Sequence, residues 1–140
     1  MSANHLKWSY ERAFPSSMDT AHGLIDQVIA EVEKRNWSSK DLFAAQMALE
    51  EAFVNAVMHG NRFDPAKNVS FYCELTEARI FFRIGDEGPG FDPTTIPDPR
   101  ADERVTVASG RGVLLIKSFA TNVSWNDKGN IISVEKIRTE

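Results

Sequence analysis

Glu51 and Asn55 stand four residues apart in the stretch Leu49-Glu50-Glu51-Ala52-Phe53-Val54-Asn55-Ala56-Val57-Met58-His59-Gly60-Asn61. Ala48, Leu49, Ala52, Phe53, Ala56 and Val57 recur there at the three- and four-residue spacing of an apolar helix face. A carboxylate and a carboxamide at i and i+4 share one side of a helix, one turn apart. The carboxylate can take a proton or orient a water, and the amide oxygen can ligate a hard cation such as Mg2+. An ordinary solvent-facing polar pair would have the same spacing. Asp86-Glu87-Gly88-Pro89-Gly90 is the second candidate, of the form Asp-x-Gly-x-Gly. A carboxylate there can accept a hydrogen bond from an exocyclic amine such as that of adenine, and the glycines let backbone approach a ligand closely. A tight turn is the competing account of the same glycines. Gly110-Arg111-Gly112 is the third, ahead of Val113 to Phe119. Backbone N–H groups at the start of a helix form an anion site suited to phosphates.

The elements that must hold these residues follow from the periodicity. Leu6 to Phe14 alternates loosely and predicts a strand that Pro15-Ser16-Ser17 ends. Ser17 is placed to cap a helix from Met18 to about Arg35, with Leu24, Ile25, Val28, Ile29 and Val32 as its apolar stripe. Ser38 or Ser39 caps a second, longer helix that carries Glu51 and Asn55, and Gly60 reads as its stop. After a polar loop, Val69–Leu75 and Arg79–Gly85 predict paired strands, which puts Asp86 at a strand end. Phe91 to Ala108 is proline-rich, charged and aperiodic, and reads as a long loop. A short helix over Val113–Phe119 and a hairpin of Thr121–Trp125 with Ile131–Ile137 complete the chain. The expected fold class is α+β: a two-layer α/β sandwich with three helices on one face of a mainly antiparallel sheet, in one domain over residues 1–140.

Bulk composition removes other classes. With 140 residues, 42% hydrophobic and 26% charged, the chain can build one core. A net charge of −4 and the lack of any Lys/Arg block give no basis for direct nucleic-acid binding. Cys73 is the only cysteine, which excludes a disulfide framework and a cysteine metal site. No apolar run reaches the roughly 20 residues of a membrane span, so the expectation is no membrane and a cytoplasmic location.

The glycine clusters do not make a Walker A loop, which needs Gly-Lys-Ser/Thr. They do not make a dinucleotide fingerprint either, since that requires a parallel βαβ unit. Glu51-x-x-x-Asn55 on a helix, then Asp86-x-Gly88-x-Gly90 at a strand end, then a long loop, then Gly110-x-Gly112 resembles the N, G1 and G2 boxes of the GHKL ATPases, which have the Bergerat fold. Within that superfamily, Glu51-Ala52-Phe53-Val54-Asn55-Ala56-Val57-Met58-His59-Gly60 is similar to the anti-sigma-factor serine/threonine kinases of the RsbW type.

The resemblance implies ATP and Mg2+ as cofactors. It makes Glu51 the general base and Asn55 the Mg2+ ligand, and it gives the adenine amine to Asp86. Gly88 and Gly90 would shape the nucleotide pocket, while Gly110, Arg111 and Gly112 would contribute to the phosphate site. Asp92 to Ala108 becomes the ATP lid. The implied partners are an anti-sigma-factor antagonist as phosphorylation substrate and a sigma factor, and a homodimer is compatible. Asn130-Ile131-Ile132 departs from the pattern, since many relatives carry a threonine near the adenine at this point. Arg100, Arg104 and Lys117 read as solvated charges, His59 as a helix-end residue, and Trp8, Trp37 and Trp125 as core or partly buried surface. Two other functions fit the same boxes: an ATP-binding regulatory module without kinase activity, and a histidine-kinase-like catalytic domain standing alone.

Overall fold

The structure is a computed structural model that describes residues 7–90 and 116–138. Its elements run β1 (Trp8–Pro15), α1 (Met18–Lys34), α2 (Ser39–Val54), β2 (Asn68–Leu75), β3 (Arg79–Gly85), β4 (Asn122–Trp125) and β5 (Ile131–Ile137). Residues 116–119 are helical as well, while the rest of the expected short helix, 113–115, lies outside the described residues. The sheet order is β1-β2-β3-β5-β4, and each neighbouring pair is antiparallel. This is the α+β two-layer sandwich that the periodicity predicts, with the helices on one face.

Local signals set the helix starts. Ser17 accepts the Thr20 N–H at 3.2 Å, and Ser38 accepts the Asp41 N–H at 3.1 Å, so each helix begins on a serine cap. Asp19 and Asp41 lie in the first turns, where a carboxylate suits the helix dipole. β1 runs one residue further than expected and includes Pro15. Being an edge strand, it tolerates a residue that cannot donate to the ladder.

The layers meet through aromatic packing. Phe53 of α2 sits with its ring centroid 5.2 Å from Phe71 of β2 and 6.0 Å from Phe14 of β1. Ala48, Leu49, Ala52 and Val57 on one side, and Cys73, Phe82, Ile84 and Val134 on the other, join the same buried cluster. Burial pushes the Cys73 thiol up to about 12, so it behaves as a small apolar residue. No helix among the described residues is long and apolar enough to cross a membrane.

One expectation is corrected at the centre of the chain. The segment carrying Asn55 does not continue as α-helix to Gly60, because α2 ends at Val54 and Asn55–Gly60 is a π-helical turn. The Asn61 N–H accordingly bonds the carbonyl of Ala56, five residues back, at 2.9 Å. Gly60 is also not the left-handed helix stop that its position suggests. Its φ is not positive, whereas Arg62 (φ 53°) and Phe63 (φ 60°) take the left-handed turn two and three residues later.

Candidate nucleotide site

α2, the π-turn, the end of β3 and the β4–β5 hairpin converge on one cleft. Its walls include Ala52, Asn55, Ile84, Asp86, Trp125 and Ile132. The wall is largely apolar, with polar side chains from Asn55 on the helix layer and from Asp86 and Asn130 on the sheet layer. Such a surface suits a flat heteroaromatic ring with one polar edge.

Asp86 follows the last residue of β3, and the ladder with β5 continues past it. Its N–H donates to the Asn130 carbonyl at 2.9 Å, and Asn130 Nδ2 donates back to the Asp86 carbonyl at 3.0 Å. One carboxylate oxygen accepts the Gly88 N–H at 2.8 Å. Burial raises the Asp86 carboxyl above the ordinary aspartate range, opposed by the Gly88 N–H and by the charges of Lys128 and Lys67. Asp86 is part of the cleft wall, and its Oδ2 takes no hydrogen bond from another described residue.

Glycines make this corner possible. A Cβ on Gly60 would overlap the Asp86 carboxylate, and a Cβ on Gly88 would overlap the Gly60 carbonyl. The π-turn and the Asp-x-Gly-x-Gly segment therefore interlock through two residues without side chains. Gly90 has φ +77°, and a Cβ there would strike the Lys128 carbonyl in the β4–β5 turn. Gly88 and Gly90 thus back the cleft and do not line it.

Asn55 is part of the cleft wall, and its side chain ends in the amide oxygen Oδ1. That atom is buried, with no hydrogen-bond partner among the described residues. A buried amide oxygen without a partner is costly, and a hard cation or a water bound to one would satisfy it. The donor type therefore fits Mg2+. Among the described residues no three His, Cys, Asp or Glu converge to form a cage of their own.

Glu51 lies one turn earlier on α2. It is partly buried, has no hydrogen bond or ion pair to another described residue, and is not part of the cleft wall. Of the predicted site residues, the structure brings Asn55 and Asp86 to one cleft with Gly88 and Gly90 behind it, and places Glu51 beside it. Gly110, Arg111, Gly112 and the expected lid from Asp92 to Ala108 lie outside the described residues, as do Arg100 and Arg104. Lys117 places its ammonium 5.7 Å from the Trp125 ring centroid.

Sequence reasoning missed three members of the site. Trp125 reads as a strand aromatic, yet it forms part of the cleft wall. Ile131 and Ile132, noted only as a departure from a threonine, supply apolar wall as well.

No curated protein is similar enough to the chain to count as a match. A family model described as a histidine kinase-like ATPase domain matches residues 14–136, from the end of β1 through β5. That span covers α2, the π-turn, Asp86 and both sides of the cleft, and the chain belongs to the histidine kinase-like ATPase domain family.

Proposed function

We propose that the chain is an ATP-dependent serine/threonine kinase of the anti-sigma type, which phosphorylates a small anti-sigma-factor antagonist and sequesters a sigma factor. The observation that carries the nucleotide part is the pairing of an unpartnered Asn55 oxygen with a half-buried Asp86 carboxylate in one cleft. Asp86 would take the adenine amine, and the apolar wall of Ile84, Trp125 and Ile132 would take the ring. Asn55 would hold Mg2+ together with phosphate oxygens and waters. Bound there, the ion neutralises phosphate charge.

Glu51 carries the kinase part. In the proposed transfer, the substrate hydroxyl oxygen forms a bond to the γ-phosphorus, the bond from that phosphorus to the β–γ bridging oxygen breaks, and ADP leaves. The hydroxyl proton passes to the Glu51 carboxylate. The resemblance of the N box to the anti-sigma kinases supports the substrate class.

Glu51→Gln separates transfer from binding. A general base acts on the transition state, so the variant is expected to bind Mg-ATP within about threefold of the parent while losing roughly 10²–10⁴-fold in transfer to an antagonist. Titration calorimetry and a radiolabel transfer assay measure the two. Parental transfer by Glu51→Gln would overturn the base assignment. A parent that binds Mg-ATP but phosphorylates no candidate antagonist would replace the kinase with an ATP-binding regulatory module.

A further inference from the structure

Asn61 is the one polar residue among the described residues that is buried outright, at 1% exposure. None of its polar atoms is left over. Its Nδ2 donates to Ser16 Oγ at 2.9 Å and to the Asn68 carbonyl at 3.0 Å, and its Oδ1 accepts the Glu87 N–H at 2.8 Å. Its backbone N–H bonds the Ala56 carbonyl, and its own carbonyl accepts the Asp64 N–H. Ser16 is anchored in turn, because its hydroxyl donates to the Lys67 carbonyl at 2.9 Å and so presents its oxygen to Asn61 as an acceptor.

The side-chain partners come from three separate segments: the β1–α1 connection, the start of β2, and the residue directly after Asp86. A flipped amide would set its NH2 against the Glu87 N–H and its oxygen against the Asn68 carbonyl, so the environment fixes one orientation. On the strand side, Asp86 is held by its two backbone bonds to Asn130. On the loop side, the peptide that follows Asp86 is held by Asn61 Oδ1.

We propose that Asn61 is a positioning residue for base recognition: through the Glu87 N–H it sets the peptide that aims the Asp86 carboxylate into the cleft. The proposal rests on the assignment of Asp86 to the adenine amine. Without the Asn61 bond, the Asp86–Glu87 peptide is held only at its carbonyl, by Asn130 Nδ2, so its N–H end can tilt and shift the carboxylate with it. A hydrogen bond to an ionised group, once mis-aimed, loses much of its roughly ten- to hundredfold contribution to affinity.

The test compares ATP with inosine triphosphate, in which a carbonyl oxygen replaces the exocyclic amine, each titrated as its Mg2+ complex. The parent is expected to prefer ATP by about a hundredfold. Asn61→Ala should lower that preference about tenfold, mainly by weakening ATP. A purely structural role would lower both affinities together and leave their ratio unchanged. Asn61→Asp keeps an acceptor for the Glu87 N–H and gives up the donor bonds. It should hold the ratio within about twofold of the parent even where its thermal midpoint falls. If Asn61→Ala does not fold, Asn61→Ser takes its place, since the shorter side chain cannot span to Glu87. A discriminating parent with an unchanged ratio in Asn61→Ala, or in the serine variant, would overturn the proposal. A lost ratio in Asn61→Asp would overturn the role of the Glu87 contact. A parent that does not distinguish the two nucleotides would instead remove the Asp86 assignment, and the proposal with it.

Discussion

The two ends of β3 treat carboxylates in opposite ways. On the sheet face away from the helices, Glu74 accepts from the Tyr72 hydroxyl and pairs with Arg79 Nη1 at 2.6 Å. Arg79 also donates to Glu135, which takes the Asn122 amide at 2.8 Å. The Tyr72 hydroxyl, then Arg79, hold Glu74 below the usual carboxylate range, and Arg79 does the same for Glu135. At the other end, Asp86 is pushed upward by burial and keeps one side-chain hydrogen bond, to the Gly88 N–H. The asparagines of the central segment divide likewise: Asn61 has every polar atom paired, and Asn55 Oδ1 has no partner among the described residues. Groups that finish their bonding within the fold build structure. Groups left unfinished beside an apolar cleft are the ones proposed to meet a ligand, and that difference marks the candidate site more sharply than any single motif does.

Replacing Gly60 should break the comparison most severely. A Cβ there needs the volume the Asp86 carboxylate occupies, so Gly60→Ala would displace the carboxylate. Nucleotide affinity should fall by at least about a hundredfold, with a stability loss of about 1–3 kcal/mol. Gly23 on α1 has nothing within 4 Å of a Cβ, so Gly23→Ala is the control. That variant should bind as the parent does and gain about 0.5–1 kcal/mol from better helix propensity. Calorimetry with thermal unfolding measures both, and undiminished binding by Gly60→Ala would separate Asp86 from the nucleotide.

Acid should sharpen the same contrast with a smaller effect. An ionised Asp86 accepts from an amine more strongly than a neutral one, so ATP affinity should fall as pH drops through its raised value, earlier than for an ordinary aspartate. Stability has the opposite sign. A carboxyl whose folded value is raised favours the folded state below its unfolded value, and that contribution is lost as pH rises through the folded value. Asp86→Asn should therefore bind ATP weakly at neutral pH without the acid-dependent loss, and be at least as stable as the parent there. A parental pH profile for ATP in Asp86→Asn would show that another group titrates.

Much of this arrangement is legible in sequence. The alternation of β2, β3 and β5 and the serine caps of both helices depend on neighbours a few residues away, and short-range pattern records them. The π-turn does not show, because Ala56 and Val57 keep a spacing that fits an α-helix equally well. Gly60 is misread for a related reason: a glycine after a helix suggests a stop, while the constraint comes from Asp86, 26 positions on. Asn61 looks like any loop asparagine, and its partners Ser16 and Glu87 lie 45 and 26 positions away. Positions whose meaning is set by tertiary contact are where sequence is silent, and in this chain they surround the cleft.

The smallest expected effect lies on the finished face. Arg79 bridges Glu74 and Glu135, and the three side chains are 34%, 23% and 24% exposed, so water can replace much of what the arginine supplies. Arg79→Met keeps an aliphatic stem and removes the charge, including the guanidinium that lies 5.0 Å from the Phe81 ring centroid. The thermal midpoint should fall by roughly 2–4 °C at neutral pH. Because both glutamates have lowered folded values, the stabilisation Arg79 provides is present above the unfolded carboxylate range and is lost as pH falls through those lowered values. The difference between parent and Arg79→Met should close in acid, the reverse of the trend at Asp86. Nucleotide affinity should stay within about twofold, since Arg79, Glu74 and Glu135 are not part of the cleft wall formed by Asn55, Asp86 and Trp125. If Arg79→Met weakened ATP binding as strongly as Gly60→Ala, the division between a structural end and a binding end of the sheet would fail, and the two faces would have to be treated as one coupled site.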